Sequence, residues 1–306
     1  MESIKLICWN CRGVSNSATI SRIKSIIRMH QPDLVCLVET RADADRAYTF
    51  CKKFAKRWHW AAIPAQGMSR GIVVLWKHNI GLVTPFAISK YSLHLVISAD
   101  NPKEWVLTVV YNSQRLQVQK SHWLELETFS SLELPWILVG DFNAIRNSEE
   151  HRGGGFNHYS SKSKCFNDFI TDNQLFDLGF IGSPFTWCNN QLGLTRRWAR
   201  LDRVLANNSW LTKFDSYFNK HLSRTASDHS PLFLNARFFS HQKQKVFRFD
   251  NFWFEYDNCH LNVWNAWNNR PRANPMHAFS HSISKTRTLL CKWKTKELTP
   301  LEKHIQ

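Results

Sequence analysis

The segment PWILVGDFNAI, residues 135–145, is an apolar run that ends in a carboxylate and a carboxamide. Residues 136–140 have the composition of a buried strand, and Asp141 and Asn143 follow it directly. Removing a carboxylate from water costs several kcal/mol unless the charge is paired. The two side chains therefore belong either to a solvated turn or to the edge of a pocket.

Further apolar runs and helical spacings extend outward from this strand. The interleaving of strands and helices, without a strict βαβ repeat, predicts one mixed-sheet α/β domain of about 240 residues. A glycine-rich loop is predicted at 153–155. The predicted strands are 4–10, 32–40, 58–65, 71–76, 93–99, 104–112, 136–140, 185–189, 200–206 and 231–238, and the predicted helices are 18–30, 42–57, 115–132 and 162–173.

A narrow set of polar residues lies at or near the ends of the predicted strands. Each of them alone has an ordinary explanation, such as a solvated carboxylate, a turn, or a core ring with an exposed hydroxyl. Their joint occurrence favours a site, because strand ends of an α/β sheet meet at an edge where ligands bind. Carboxylates, amides and a histidine at that edge suit a hard cation and a phosphate group. The residues are Asn10, Glu39, Tyr111, Asn112, Asp141, Asn143, Asp202, Asp228 and His229.

Composition and charge restrict the class of protein. A chain of 306 residues with a hydrophobic fraction of 43% has enough apolar side chains for a large core. The net charge of +16 favours a polyanionic partner, with nucleic acid as the first candidate and a generically basic protein as the alternative. No apolar run reaches 18 residues and the N-terminus lacks the pattern of a signal peptide, so neither a membrane span nor secretion is predicted.

Residues 241–306 differ in texture from the rest of the chain. They contain eleven Lys or Arg against five Asp or Glu, and four Trp are spread along helix-like runs. Strand-like patterns are scarce, and Pro271 and Pro275 interrupt the helical ones. This segment is predicted to be a partly helical extension rather than a second complete domain.

Six short motifs carry a resemblance to a known superfamily. They are WN (9–10), LVET (37–40), VVYN (109–112), GDFN (140–143), RLDRVL (200–205) and SDHSP (227–231). Their order and spacing resemble the endonuclease/exonuclease/phosphatase superfamily, which includes abasic-site repair endonucleases, DNase I and the endonucleases of non-LTR retrotransposons. The segments CWNCRG, EEHRGGG, FNDFITDNQLFDLGF and SPFTW are most similar to those of plant LINE-type elements. The segment KVFRFDNFWFE (245–255) resembles the connector that follows the endonuclease in those elements.

The resemblance implies a DNase I-like fold for residues 1–240, which is a four-layer sandwich of two mixed β-sheets flanked by helices. Residues 241–306 would then be a connector ahead of a reverse transcriptase region. The resemblance also implies a Mg²⁺- or Mn²⁺-dependent hydrolase that acts on DNA, and hence a nuclear location. No protein partner can be inferred.

The superfamily's roles transfer residue by residue onto the matching motifs. Glu39 would be the main ligand of the cation, with Asn10 beside it. Asp141 would orient or deprotonate the attacking water, and Asn143 would hold the scissile phosphate. In-line attack would leave a 3′-hydroxyl and a 5′-phosphate.

The remaining roles concern the transition state and the phosphate. His229, oriented by Asp202, would stabilise charge on the pentavalent transition state, and Asp228 would support the histidine or the metal. Tyr111 would donate a hydrogen bond to the phosphate. Arg12 occupies a position where repair enzymes typically have an acidic residue, which argues against abasic-site repair and places a guanidinium where it could bind a DNA phosphate.

Two alternatives to a DNA endonuclease stay open at this point. One is a phosphatase or phosphodiesterase on the same scaffold, which would act on inositol phosphates, sphingolipid or RNA tails. The other is a catalytically silent remnant that binds nucleic acid without cleaving it. Nicking of plasmid DNA, compared with the turnover of small phosphate esters, separates these three functions.

Overall fold

The computed structural model describes residues 3–65, 70–98, 104–131, 133–153, 160–238, 249, 251–268, 275–294 and 296. The chain divides into two compact units, Met1–Ser240 and His241–Gln306. Gly154 and Gly155 of the predicted glycine-rich loop lie outside the described residues. Residues 245–248 and 250 of the segment KVFRFDNFWFE also lie outside them.

Two six-stranded mixed sheets and one small three-stranded sheet form the first unit. The strand orders are β14-β15-β1-β2-β4-β3, β10-β13-β8-β7-β6-β5 and β11-β12-β9. The strands are β1 (Ser3–Asn10), β2 (Leu34–Val38), β3 (Trp58–Ile63), β4 (Ile72–Lys77), β5 (Leu82–Ile88), β6 (Ser92–Ser98), β7 (Trp105–Tyr111), β8 (Trp136–Asp141), β9 (His151–Arg152), β10 (Leu175–Asp177), β11 (Trp187–Cys188), β12 (Trp198–Ala199), β13 (Asp202–Asn207), β14 (Phe214–His221) and β15 (Leu232–Phe238).

Seven α-helices accompany the sheets in the part of the chain that the structure describes, two of them in the second unit. They are α1 (Ser17–His30), α2 (Ala44–Lys52), α3 (Leu116–Ser130), α4 (Ser160–Asp172), α5 (Asn208–Lys213), α6 (Asp257–Asn268) and α7 (Pro275–Trp293). None of the described helices combines the length and apolarity needed to cross a bilayer.

The core is divided into layers because side chains alternate between the two faces of each sheet. Successive side chains of a strand point to opposite faces of its sheet. In β1, Leu6 and Cys8 enter the core between the two large sheets, while Ile7 and Trp9 pack with residues of α1 and α2. In β8, Val139 enters the same shared core and the neighbouring Leu138 contacts the cluster under α3 and α4. The first unit is therefore the predicted four-layer sandwich of helices, two mixed sheets and helices.

Five strands and one helix of the structure were not predicted, and one predicted helix is shorter than expected. Strand β5 contains Pro85, which breaks the alternation and coincides with a register shift at the sheet edge. Strands β9, β10, β12 and β14 and helix α5 are short or polar, so their patterns are weak. Helix α2 ends at Lys52 because residues 53–57 continue as turns with i→i+3 hydrogen bonds, such as Phe54 N to Cys51 O.

The second unit contains a small aromatic core. Helices α6 and α7 pack together, and Trp253, Cys259, Leu290 and Trp293 are buried between them and the preceding 3₁₀ turn. The ring centroids of Trp253 and Trp293 lie 5.8 Å apart in an edge-to-face arrangement. Trp264 of α6 is exposed.

Two buried histidines share a hydrogen-bond network inside the second large sheet and α3. Ser92 Oγ lies 2.9 Å from His94 Nε2 and 3.1 Å from His122 Nε2, and His94 Nδ1 lies 3.0 Å from Thr108 Oγ1. Burial lowers the pKa of His94 to about 4 and that of His122 to about 3. Both rings are therefore neutral in the folded protein at neutral pH.

This network predicts a loss of stability in mild acid. An unfolded histidine has a pKa of about 6.5. The free energy of unfolding is therefore at its full value above that pH, and it decreases as the pH falls from there towards the folded pKa values. At pH 5 the loss is roughly 2 kcal/mol for each ring. We expect the urea midpoint to fall between pH 7 and pH 5, and to fall less in the His94→Gln/His122→Gln variant. Equal acid sensitivity in this variant and in a variant of the exposed His59 would contradict the assignment.

Candidate active site

The candidate site forms where strand ends from the two large sheets meet. Asn10 ends β1, Glu39 follows β2, and Asp141 ends β8. The Asn10 carboxamide donates through Nδ2 to Glu39 Oε2 at 3.0 Å and to Asp141 Oδ2 at 2.9 Å. All three side chains are buried. One amide thus joins carboxylates that come from different sheets.

Strand pairing places two more of the predicted residues beside Asp141. Tyr111 is its partner in the parallel β7–β8 pair, and Asp202 is its partner in the antiparallel β13–β8 pair. Gly140 allows this close approach, because its φ is +150° and a Cβ there would lie 1.9 Å from Val110 O. Only glycine fits directly before Asp141.

His229 lies within this cluster as the sequence predicted. Its Nδ1 is 2.8 Å from Asp202 Oδ2, and its Nε2 is 3.8 Å from Asp141 Oδ2 and 3.4 Å from Asn10 Nδ2. The Trp9 indole donates to the His229 carbonyl at 3.1 Å. Asp202 therefore orients the ring, and Nε2 faces the centre of the site.

Asn143 does not direct its amide at the same centre. Its Nδ2 donates to Asn112 O at 2.8 Å, and its backbone N–H donates to Asp141 Oδ1 at 2.9 Å. The fully buried Gln119, which was not predicted as a site residue, supports this turn by donating to Asn143 O at 3.0 Å. The structure thus brings Asn143 beside Asp141 but holds its carboxamide against the backbone.

Asp228 and Arg12 pair with each other at the rim of the site. Arg12 Nε lies 2.9 Å from Asp228 Oδ1, and the Trp187 indole donates to Asp228 Oδ2 at 2.9 Å. Arg12 also approaches Glu39 Oε2 at 3.6 Å. Both Asp228 oxygens are therefore engaged by groups other than the His229 ring. Trp187 was not predicted as a partner.

A second arginine was missed by the sequence reasoning. Arg41 directs Nε and Nη2 at Glu39 Oε1, at 3.0 and 2.5 Å. The signal that could have identified it is its position two residues after the predicted metal ligand, in the motif ETR. The contact between Glu39 and Arg41 does not come from the alternation of side chains along a strand, because both residues lie in an irregular loop after β2.

Left-handed backbone conformations bring these side chains together. Arg12, Glu39, Arg41 and Asn143 have φ values of +49°, +52°, +50° and +49°. Each such conformation costs of order 1–3 kcal/mol for a residue with a Cβ and persists only where the surroundings impose it. Strain of this kind concentrated at one strand edge is typical of functional sites.

Opposing effects set the charge states inside the site. Burial alone would lower the pKa of His229, but the charges of Asp202 and Asp141 outweigh it and raise that pKa to about 9. Burial raises the pKa of Asp141 to about 7, with a further contribution from Asp202. Burial also opposes ionisation of Glu39, but the hydrogen bonds from Arg41 and Asn10 and the charges of Arg12 and Arg41 together outweigh it, and the pKa of Glu39 is lowered. His229 is thus cationic at neutral pH, and Asp141 has a high proton affinity for a carboxylate.

Tyr111 is half-buried at the same edge. Burial, followed by the negative charges of Glu39 and Asp141, raises its pKa well above the usual range. The hydroxyl therefore keeps its proton and can act only as a neutral hydrogen-bond donor or acceptor. This state is the one required of a phosphate-binding tyrosine.

The donor set of the site fits a divalent cation. Asp141, Asp202 and His229 bring ligand atoms within 4.8 Å of one another, and Glu39 reaches the same centre through Asn10. Carboxylate and carboxamide oxygens predominate, which suits Mg²⁺ or Mn²⁺ better than softer metals. His229 Nε2 faces the same centre, but a protonated ring has no lone pair for a cation, so the oxygen groups are the better candidates for ligands.

Several solved structures have this fold. The chain is similar to the AP endonuclease LMAP from Leishmania major, with a TM-score of 0.61, 15% identity, and 77% of this chain and 88% of that chain covered. It is similar to the 3′ phosphatase NExo from Neisseria bound to a product DNA hairpin, with a TM-score of 0.59, 16% identity, and coverages of 78% and 100%. The endonuclease domain of TRAS1, a telomere-specific non-LTR retrotransposon, has a TM-score of 0.58, 14% identity, and coverages of 78% and 100%.

No curated protein sequence matches the chain. A family model does match it, and the matched residues, 7–229, include all the predicted site residues from Asn10 to His229. These residues also cover both large sheets except for strand β15 and the first half of β1. The chain therefore belongs to the endonuclease/exonuclease/phosphatase family.

Proposed function

We propose that this chain is a divalent-metal-dependent DNA endonuclease that nicks one strand and derives from a plant LINE-type retroelement. The observation that supports this most is the contact between Asn10, Glu39, Asp141 and His229, which come from distant parts of the sequence. Hydrolysis of a phosphodiester needs a proton acceptor for water, a cation near the phosphate oxygens and a ligand set for a metal. This cluster contains groups suited to each task.

In the proposed reaction Asp141 accepts the proton of the attacking water. Its raised pKa matches that task, since a general base works best when its pKa is near the working pH. His229, oriented by Asp202, directs a positively charged Nε2 to the developing negative charge on the phosphate. Attack in line with the departing oxygen leaves a 3′-hydroxyl and a 5′-phosphate.

Glu39 and Asn10 are the proposed ligands of Mg²⁺ or Mn²⁺. When bound, the cation supplies Lewis-acid stabilisation of phosphate oxygens. Tyr111 donates its hydroxyl to the phosphate. Asn143 holds the phosphate only after its carboxamide leaves the Asn112 carbonyl, and Asp228 acts through Arg12 and the charge it adds near His229.

DNA is the proposed substrate because of charge and of resemblance. The net charge of +16 favours attraction of phosphate backbones, while the site itself contains the carboxylates Glu39, Asp141, Asp202 and Asp228. The relatives by fold include an AP endonuclease, a 3′ phosphatase with a DNA hairpin and a retrotransposon endonuclease domain. A nuclear location follows from this substrate.

The retroelement origin rests on segments that resemble plant LINE-type elements, among them EEHRGGG and SPFTW. Residues 1–240 would be the endonuclease domain. Residues 241–306, with their basic and Trp-containing helices, would be the connector that precedes a reverse transcriptase region.

Plasmid nicking tests the proposed function. Purified protein with Mg²⁺ is expected to convert supercoiled plasmid to open circles that DNA ligase can seal, because the proposed ends are a 3′-hydroxyl and a 5′-phosphate. Chelation of the metal is expected to stop the reaction. Open circles that form equally in the presence of a chelator, or no conversion at all, would contradict the proposal.

A phosphatase is the second candidate, and the similarity in fold to a 3′ phosphatase favours it. The same site geometry would act on a terminal phosphate instead of an internal diester. A hairpin with a 3′-phosphate, offered beside supercoiled plasmid, separates the two activities. Release of inorganic phosphate without nicking would favour this candidate.

A catalytically inactive remnant that binds DNA is the third candidate. It is favoured by the two arginines that contact the Glu39 carboxylate. Arg41 and Arg12 occupy the carboxylate that a metal would use. Binding of DNA that weakens steeply with salt, together with no metal-dependent cleavage, would support this reading.

A further inference from the structure

Two arginines cover the carboxylate of Glu39. Arg41 directs two nitrogens at Oε1, and Arg12 approaches Oε2, which also accepts the Asn10 amide. A guanidinium and a divalent cation repel each other strongly at such distances in a partly buried site. If Glu39 binds a cation, Arg41 has to release it.

Arg12 and Arg41 differ in what else holds them. Arg12 has its shorter contact with Asp228, at 2.9 Å, and remains anchored if it loses Glu39. Among the described residues, the side-chain hydrogen bonds of Arg41 both go to Glu39. Release of Glu39 therefore leaves the Arg41 guanidinium without an acceptor.

The position of Arg41 suits a group that moves. Its side chain is 36% exposed, whereas that of Glu39 beneath it is 7% exposed. The backbone of this turn is fixed separately, since Thr40 N donates to Gly71 O and Arg41 N donates to Arg70 O. Rotation of the side chain alone can thus carry the guanidinium from Glu39 to the solvent side of the site.

We propose that Arg41 is a DNA-binding residue that stays on Glu39 until a divalent cation takes that carboxylate and then binds a backbone phosphate. This inference rests on the proposed function. A phosphate offers the same paired oxygen acceptors that a carboxylate offers to the guanidinium fork. Because one group exchanges Glu39 for DNA, binding of the cation and binding of DNA strengthen each other.

The exchange predicts effects of opposite sign for Arg41→Gln. Without DNA, the variant is expected to bind Mn²⁺ about 5-fold more tightly or better, measured by titration calorimetry, because no guanidinium competes. With Mn²⁺ present, its affinity for a short duplex is expected to fall by about 5-fold or more. The DNA titrations are made in the Asp141→Asn background to prevent cleavage. In the presence of a chelator, the DNA affinities with and without Arg41 are expected to agree within about two-fold.

Two further variants serve as controls. Arg41→Lys keeps the charge but loses the fork, so its DNA affinity with Mn²⁺ is expected to lie between those of wild type and Arg41→Gln. Arg237→Gln removes an exposed charge at the opposite end of the sheet, since Arg237 pairs with Ser3 at the start of β1, about 23 Å from Asn10. This control is expected to leave Mn²⁺ binding unchanged and to lower the DNA affinity, relative to wild type, by the same factor with and without Mn²⁺, because it removes one charge but keeps Arg41.

Two results would overturn the inference. Weaker or unchanged Mn²⁺ binding by Arg41→Gln would mean that Arg41 only holds Glu39 in place. An equal loss of DNA affinity with and without Mn²⁺ would mean that Arg41 contacts DNA at all times. Unfolding of the variant is detected by its melting temperature, and Arg41→Lys then carries the same comparison. Failure of plasmid nicking by wild type tests the proposed function separately, because Mn²⁺ binding is measured without DNA or turnover.

Discussion

Replacing Asp141 by asparagine is expected to slow metal-dependent DNA nicking by about 100- to 10,000-fold, the usual contribution of a general base. Asn has nearly the same size, but its amide cannot accept a proton from water. Asp141 Oδ2 lies 2.9 Å from Asn10 Nδ2 and 3.8 Å from His229 Nε2, so this oxygen faces the centre of the site. The measurement is the single-turnover rate on supercoiled plasmid.

The same variant is expected to fold at least as well as wild type. Burial raises the pKa of Asp141, which means that its ionised form is costly where it lies, and Asp202 adds repulsion. Removing that charge should leave the melting temperature equal or higher. Asp215→Asn, at an exposed position on β14, is the matched control and should change neither rate nor stability. Nicking at an undiminished rate by Asp141→Asn would contradict the role of Asp141.

Replacing Arg203 by methionine is expected to destabilise the first unit by about 3–5 kcal/mol, the cost of removing one partner from a buried ion network. Arg203 is fully buried. Its guanidinium bonds to Glu150 Oε2 at 2.6 Å and to Asp177 Oδ2 at 2.9 Å, and it lies over the Phe166 ring. Methionine would leave these carboxylates buried with Arg200 as their remaining partner.

Urea unfolding monitored by tryptophan fluorescence measures this loss. Arg203→Lys keeps the charge but not the paired hydrogen bonds, and it should lie between wild type and methionine. The exposed Arg237→Gln should change the free energy of unfolding by less than about 0.5 kcal/mol. A loss below about 1 kcal/mol for Arg203→Met would show that the network contributes little net stability.

The strand ends could be predicted from the sequence because their pattern is local. Apolar runs that stop at Asn10, Glu39 and Asp141 require only that strands alternate and that their ends meet at one edge. The pairing of Asp202 with His229 also followed the expectation from the motifs. The catalytic roles assigned to these residues stay predictions.

The contacts that depend on backbone conformation could not be predicted. Glu39 and Arg41 come together through two left-handed residues, a conformation that their side chains do not favour. Asn143 turns its amide to a carbonyl for the same reason. Gln119 reaches the site from helix α3, where nothing in its spacing distinguishes it from other helical residues.

Arg203 was visible in the sequence but was not interpreted. It stands in the strand RLDRVL, next to Asp202 and on the opposite face. An arginine inside an apolar strand needs buried counter-charges, which are supplied here by Glu150 and Asp177 from separate segments. The sequence could not predict which carboxylates bind Arg203, because the tertiary fold brings Glu150 and Asp177 to it from separate segments.

Diffraction from crystals soaked in Mn²⁺, with anomalous data collected at the manganese edge, tests most directly whether this cluster is a metal site. We predict an anomalous peak within coordination distance of Glu39 and beside Asn10 and Asp141, with the Arg41 guanidinium moved off Glu39. No peak at this cluster under saturating Mn²⁺, with Arg41 still on Glu39, would contradict the account.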